Sequence, residues 1–173
     1  MKMTDNTNLL YHGSTVCVDA PLAHFGRPEL DFGPGFYLTN DRQQAEDWSR
    51  AKAGRKPMAR AILNVYRFDW EAFSSSSLYK TLVFPEYSIE WLDFISLSRK
   101  GEKPWEGFDC VEGGVANDSV ISTVDAYVDG LINAEQAIGK LVNERLRHQF
   151  CILNQSVIDN YLSFVESVEL SQE

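Results

Sequence analysis

The sequence predicts an α+β domain, and three observations support this class. Segments with the period of strands and segments with the period of helices follow one another without regular alternation. The 173 residues are 44% hydrophobic and 24% charged, which is typical of one soluble globular domain. No internal repeat divides the chain. We therefore expect residues 1–8 to form a flexible N-terminus, 9–165 a single domain and 166–173 a C-terminal tail.

The charge balance limits the partners of the protein. The net charge is −9 and the sequence pI is about 4.8, so most of the surface repels phosphate backbones and anionic lipids. We expect no membrane contact, and the charge mildly favours protein over nucleic acid as a macromolecular partner. The strongest basic cluster lies within residues 50–60, and its pattern is typical of a solvated helix end and loop.

The N-terminus and the cysteines indicate a cytoplasmic location. Residues 1–8 lack the apolar core of a secretory signal, and no stretch approaches the ~20 apolar residues of a membrane span. Cys17, Cys110 and Cys151 form no CxxC pair, and each lies among apolar residues, which predicts three buried, reduced thiols. The histidines, cysteines and carboxylates show no ligand spacing, so we expect no metal site.

The first elements are two short strands separated by a long connection. Residues 9–12 form a mainly apolar run that ends at Gly13, which predicts a strand. Residues 31–35 contain two glycines and a proline, and they predict a tight loop that leads into a strand over 36–39.

A helix and a third strand follow. Asn40 or Asp41 is placed to cap the helix, and its apolar face is predicted to contain Ala45, Trp48 and Ala51. Residues 59–68 alternate with a period of two, which predicts a strand. One face of that strand holds Ala61, Leu63 and Val65, and the other holds Ile62, Asn64 and Tyr66.

The second half of the chain is predicted to contain six further elements. They are a helix over 88–98, a strand over 108–111, helices over 120–128 and 134–142 split by Gly130, a strand over 150–153 and an amphipathic helix over 156–164.

Two segments carry residues that suggest a specific chemistry. The first is Leu10-Tyr11-His12-Gly13-Ser14 at a strand end, and the second is Gly33-Pro34-Gly35-Phe36-Tyr37 at a strand start. They resemble the His and Tyr motifs of the ADP-ribosyltransferases of the diphtheria-toxin and poly(ADP-ribose)-polymerase type. The chain is more similar still to a bacterial family of uncharacterised domains in that superfamily. This family has two further segments that resemble residues 91–94 followed by Arg99 and residues 109–118 of this chain.

This resemblance implies a fold and a substrate. The fold is a split, mixed β-sheet core with flanking helices, and the substrate is NAD. In the resembled enzymes the His, here His12, bonds the adenine-side ribose, the backbone of Gly13 pairs with the carboxamide, and the ring of Tyr37 stacks on the nicotinamide. The implied NAD-binding residues are His12, Gly13, Ser14, Gly35, Tyr37, Asn117 and Asp118.

The third motif differs from the efficient transferases. They often carry Glu at the start of a late strand, where its charge stabilises the cation that forms as nicotinamide leaves. The matching residue here is Gln149, which accepts a hydrogen bond but has no charge. The implied catalytic set is His12, Tyr37 and Gln149, with Glu112 or Asp118 as alternative sources of charge. The loss of Glu implies mono- rather than poly-transfer.

Three functions remain open at this point. The first is an NAD-dependent mono-ADP-ribosyltransferase that modifies a protein or a nucleic acid. Resemblance alone adds that such an enzyme can be the toxin of a bacterial toxin-antitoxin or defence system, with an antitoxin protein as a partner. The second is a module that binds NAD or ADP-ribose without turnover, and the third is an NAD glycohydrolase.

Overall fold

The fold consists of two sheets with helices packed around them. The computed structural model describes residues 8–116 and 118–171, and within these the chain forms seven strands and six helices. The strands are β1 (Leu9–Ser14), β2 (Phe36–Leu38), β3 (Ile62–Phe68), β4 (Thr81–Val83), β5 (Cys110–Gly114), β6 (His148–Ile152) and β7 (Leu162–Glu169). The helices are α1 (Arg42–Gly54), α2 (Trp70–Ser75), α3 (Ile89–Arg99), α4 (Asp118–Val128), α5 (Ala134–Leu141) and α6 (Gln155–Tyr161). The predicted α+β class is confirmed.

The two sheets meet at one point. The first sheet has the order β1-β3-β7 and the second the order β2-β6-β5-β4, in which only β4 and β5 are parallel. Between the sheets, Tyr11 of β1 and Thr39 exchange two backbone hydrogen bonds of 2.8 and 3.0 Å. In the described part of the chain β1 and β2 form no further bridge, so the strands separate beyond Tyr11.

The second sheet is buried on both faces. Val111 and Cys151 point to a cluster that includes Trp91 of α3 and Val124 of α4. The neighbouring residues of the same strands, such as Phe150, point to a different cluster on the opposite face. Alternate residues of a strand point to opposite faces, so both sides of these strands are apolar. The sheet is therefore held rigidly in the core.

The alternation predicted for β3 is confirmed. Leu63 and Val65 pack against Ala45 of α1, whereas Tyr66 packs in the cluster around Phe36. Both sets are fully or almost fully buried. Burial of such side chains contributes roughly 1.5–3 kcal/mol each, so β3 anchors the first sheet between α1 and the second cluster.

The apolar face predicted for α1 is correct at Ala45 but wrong at Trp48 and Ala51. The helix begins after Asp41, whose side chain accepts the N–H of Gln44, but its buried residues are Ala45 and Ser49. Trp48 is 54% exposed and Ala51 is exposed. Ala45 and Ser49 are four residues apart, so they share one face of the helix more closely than Ala45 does with Trp48 or Ala51. The small side chain of Ser49 fits where the helix lies close to β1.

The end of the chain also differs from the prediction. The last helix stops at Tyr161, and residues 162–169 pair with β3. Residues 166–169 therefore belong to the domain and not to a tail. Pairing with the open edge of β3 outweighed the helical periodicity of 156–164, a long-range effect that a local pattern does not contain. Residues 1–7 of the predicted flexible N-terminus lie outside the described residues.

The cysteine prediction is correct for two residues of three. Cys110 and Cys151 are fully buried, whereas Cys17 is exposed in the segment after β1. Burial raises the pKa of the Cys151 thiol to about 12, so this thiol is protonated at neutral pH. The sequence around Cys17 is apolar, but the segment runs over the surface, where Val16 is exposed as well.

Gly13 fixes the packing of α1 on β1, and its replacement gives a stability test. A Cβ at Gly13 would overlap the carbonyl oxygen of Ala45 and lie 2.9 Å from the N of Ser49, both backbone atoms. Gly13→Ala is therefore expected to destabilise the fold by about 1–3 kcal/mol or more. The matched control is Gly139→Ala in α5, where a Cβ meets nothing within 4 Å and a gain of about 0.5–1 kcal/mol is expected. Urea unfolding of both variants provides the measurement, and equal stabilities would contradict this packing.

Candidate functional site

The candidate site lies where β1 and β2 separate. Just before β1, the carbonyl of Asn8 accepts the N–H of Phe68 in β3, whereas Tyr11 within β1 bonds Thr39 on the other side. Because the bonding direction alternates along an antiparallel strand, the backbone of Gly13 is directed to the same side as that of Tyr11. The carbonyl of Gly13 accepts a 3.1 Å hydrogen bond from Nζ of Lys52.

His12 bridges the separating strands with its side chain. Nδ1 lies 2.7 Å from the backbone carbonyl of Tyr37. A carbonyl only accepts, so Nδ1 carries the proton, and in the neutral ring Nε2 is then an acceptor. Within the described residues Nε2 has no hydrogen-bonding partner. The ring also packs against Phe36, with centroids 4.6 Å apart.

The environment of His12 keeps the ring neutral. Burial, and then the nearby ammonium of Lys52, lower the pKa of His12 from 6.5 to about 4. The imidazole is therefore a fixed, uncharged acceptor at physiological pH. Such a group suits a ligand hydroxyl better than a ligand anion.

The Tyr37 side chain does not face His12, although the resemblance implies that both side chains contact one NAD molecule. The His12 ring contacts Phe36, and neighbouring residues of a strand point to opposite faces. The Tyr37 hydroxyl donates to the carbonyl of Gly33 at 2.6 Å and accepts from the N–H of Phe32 at 3.0 Å. His12 and Tyr37 thus meet only through the Tyr37 backbone, and the phenol holds the glycine loop. Burial raises the pKa of Tyr37.

The motif residues around these two have structural roles of their own. A Cβ at Gly35 would overlap Sγ of Cys151 and lie 2.6 Å from the carbonyl oxygen of Ile152, so this glycine permits close approach to β6. Gly33 has a φ of 90° and packs against Trp105. Ser14 ends β1 half-buried, and its Oγ accepts from the N–H of Val16 at 3.4 Å.

Gln149 lies on the Tyr37 face of the second sheet. Gln149 pairs with Gly113, and Tyr37 pairs with Cys151 two residues farther along β6. The two side chains are therefore diagonal neighbours on one face. Nε2 of Gln149 is buried and has no hydrogen-bonding partner among the described residues. An unsatisfied buried donor costs about 1–3 kcal/mol, so an acceptor that reached this amide would offset that cost.

The alternative Glu112 lies on the opposite face. It pairs with Phe150, one residue out of phase with Gln149. It is almost fully buried, and its Oε1 lies 3.8 Å from Nδ1 of His148. Burial lowers the pKa of His148. Glu112 and Gln149 thus do not act on the same side of the sheet.

The segment 113–118 is shaped largely by packing. A Cβ at Gly113 would lie 2.9 Å from Phe32, and one at Gly114 would overlap Tyr87. Trp91 donates its indole N–H to the Gly114 carbonyl at 3.1 Å. Asn117 lies outside the described residues. Asp118 begins α4, and its binding role stays a prediction.

Sequence reasoning missed Lys52 and Trp48 as parts of this region. Lys52 reaches the Gly13 carbonyl, and its Nζ lies 5.4 Å from the Trp48 ring centroid. The sequence contained a signal for this contact, because Trp48 and Lys52 are four residues apart and such residues are neighbours on a helix. The wrong assignment of Trp48 to the buried face of α1 concealed it.

In the described part of the chain, no helix has the length and apolar character needed to cross a membrane. Nor do residues 8–116 and 118–171 place three or more His, Cys, Asp or Glu side chains where they could hold a metal ion.

Comparison with known proteins identifies the family of the chain. The model of the family described as "Protein of unknown function (DUF3990)" matches residues 9–164. The chain belongs to this family. No curated protein and no solved structure matches it.

The neutrality of His12 can be tested by titration. Because its pKa of about 4 in the fold lies below the ordinary 6.5, the unfolded chain takes up a proton at this residue first as the pH falls. His12 therefore lowers stability between about pH 6.5 and pH 4, by roughly 3 kcal/mol in full, and has no such effect above that range. NMR should show no titration of the His12 ring between pH 5.5 and pH 8. A titration step centred near pH 6.5 would contradict the burial of this ring.

Proposed function

We propose that the protein is an NAD-dependent mono-ADP-ribosyltransferase. The observation that carries this proposal is the neutral His12, held by the Tyr37 carbonyl where β1 and β2 separate, with Nε2 as an acceptor. The adjacent Gly13 directs its backbone into the same gap. A hydroxyl and a carboxamide are what these two groups recognise, and NAD contains both.

The proposed contacts follow from the chemistry of each group. A ribose hydroxyl donates to Nε2 of His12, and the carboxamide pairs with the backbone of Gly13. The Tyr37 ring lies on the other face of its strand from the His12 ring, with its phenol fixed by two hydrogen bonds. NAD would therefore pass through the gap between β1 and β2, so that its adenine-side ribose reaches His12 and its nicotinamide stacks on Tyr37. Gln149 is the diagonal neighbour of Tyr37. If the nicotinamide stacks on Tyr37, the ribose attached to the nicotinamide lies next to the Gln149 amide.

The proposed reaction is substitution at one carbon of the nicotinamide ribose. The bond from C1′ to the pyridinium nitrogen breaks, and its electron pair leaves with nicotinamide, which becomes neutral. A lone pair of the acceptor forms the new bond to C1′, and the acceptor releases one proton to water. Gln149 orients the 2′-hydroxyl but adds no charge, so the transition state is stabilised less than with a carboxylate.

The other functions differ in what becomes of NAD. A binding module releases no nicotinamide, and a glycohydrolase passes ADP-ribose to water. Incubation with NAD labelled in the adenylate separates the three, because only a transferase places label on a macromolecule. The macromolecular acceptor, an antitoxin partner, a role as a bacterial toxin and a cytoplasmic location rest on the resemblance and composition alone.

NAD binding is expected to depend on His12. A ligand that binds only the native state raises the free energy of unfolding, by about 2.7 kcal/mol at a ligand concentration of 100 times its Kd. The melting temperature rises as a consequence. His12→Asn removes the acceptor and should weaken NAD binding by about tenfold, measured by calorimetry. The matched control is His24→Asn, an exposed residue with a φ of 62° that Asn tolerates, and it should bind NAD as the wild type does. Equal affinities of both variants would argue against the site.

Gln149 is expected to act on turnover more than on binding. Gln149→Ala should lower nicotinamide release by about 10²–10³-fold with little loss of NAD affinity. Gln149→Glu adds the missing charge and should retain or increase release. If both variants melt earlier but keep wild-type activity per folded molecule, Gln149 is a structural amide and not part of the site.

A further inference from the structure

The surface beside the site carries a local concentration of positive charge. Residues 50–60 contain five of the 16 basic residues and none of the 25 acidic ones. Arg50 and Arg60 are paired with acidic side chains. Arg55 and Lys56 are exposed, and among the described residues neither has an ion-pair partner.

These charges continue a line that starts at the site. Trp48, Lys52 and Arg55 follow one another at spacings of four and three residues, so they lie on one side of α1. Lys52 contacts the Gly13 carbonyl at one end. We call Trp48, Lys52, Arg55 and Lys56 the basic stripe.

The stripe ends at a cavity of about 610 Å³ at the C-terminal end of α1. Arg55 and Lys56 of the stripe line this cavity, and Arg50 lines it as well. Met58 is fully exposed in the same lining. The cavity therefore combines cationic groups with an apolar surface.

We propose that the basic stripe binds single-stranded nucleic acid, which is the acceptor of the proposed transferase. Nζ of Lys52 lies over the half-exposed Trp48 ring, 5.4 Å from its centroid, so we expect a base to stack on the opposite face of the indole with its phosphate near the ammonium. Positive charge along aromatic platforms is how proteins hold single strands without base pairing. The acidic remainder of the surface repels a polyanion, so the strand is confined to the stripe.

This assignment favours nucleic acid over an acidic peptide. A peptide carboxylate uses the charges but makes no use of the exposed area of the Trp48 ring. A base uses the ring, and its phosphates use Lys52, Arg55 and Lys56. The acceptor assignment rests on the proposed function, whereas binding of the strand does not.

The first test measures binding without NAD. Fluorescence anisotropy uses labelled 12-nucleotide single strands of mixed sequence, one RNA and one DNA, at several salt concentrations. Arg55→Glu/Lys56→Glu should weaken binding at least tenfold and reduce the slope of log K against log salt by about 1.4, for two lost phosphate contacts. Trp48→Ala should weaken binding about tenfold with an unchanged slope.

The matched control is Lys100→Glu/Lys103→Glu, which makes the same change of charge at two exposed residues. Lys100 is the C-cap of α3, and Lys103 lies in the loop after it. It should bind the strands nearly as the wild type does. Absence of binding by the wild type at 50 mM salt, or equal weakening by both double variants, overturns the proposal.

The second test separates the acceptor from the reaction. With labelled NAD and the oligonucleotide, the wild type should transfer label to the strand. Arg55→Glu/Lys56→Glu should transfer at least tenfold less label. Its release of nicotinamide in the absence of an acceptor should equal that of the wild type. Label found only on protein overturns the nucleic-acid acceptor and leaves the transferase intact. Strand binding that depends on the stripe, with no nicotinamide release by any variant, overturns the proposed function and supports the binding surface.

Discussion

The hydrogen bond from Nδ1 of His12 to the Tyr37 carbonyl is the interaction on which the arrangement of the site depends. Backbone pairing between the two sheets ends at Tyr11 and Thr39, and a side chain continues the connection one residue later. A second backbone pair would have closed the gap, whereas without the His12 hydrogen bond the two strands would be free to move apart. The bond also fixes which ring nitrogen carries the proton, so one structural contact sets the chemistry of the other nitrogen.

Glycines make the same region possible, for packing reasons. Gly13 lets α1 approach β1, and Gly35 lets β2 approach Cys151 of β6. In the resembled enzymes such glycines are associated with the ligand, but here close helix and strand contacts already require them. A glycine in a motif therefore supports the fold first. The ligand gains from it because a strand without a side chain exposes its backbone.

The two faces of β5 and β6 separate the polar groups that sequence reasoning had treated as alternatives. Gln149 shares a face with Tyr37, and Glu112 shares the opposite face with Phe150. A shift of one residue along a strand moves a side chain to the other side of the sheet. In the proposed complex, Glu112 therefore does not replace Gln149 beside the ribose of a nicotinamide stacked on Tyr37, although the two residues lie on adjacent strands.

The sequence by itself determined the α+β class, the alternation along β3 and a helix capped by Asn40 or Asp41. These features are encoded in local periodicity, turn residues and short motifs. Only the tertiary structure decided that residues 162–169 form a strand, that Trp48 faces solvent beside Lys52, and that the side chains of His12 and Tyr37 point to opposite faces. Each of these depends on a partner distant in sequence: β3 recruits the last strand, β1 selects the buried side of α1, and the junction of the sheets directs the two side chains. Local patterns record which residues are apolar, whereas the direction of a side chain is fixed by what packs against its backbone.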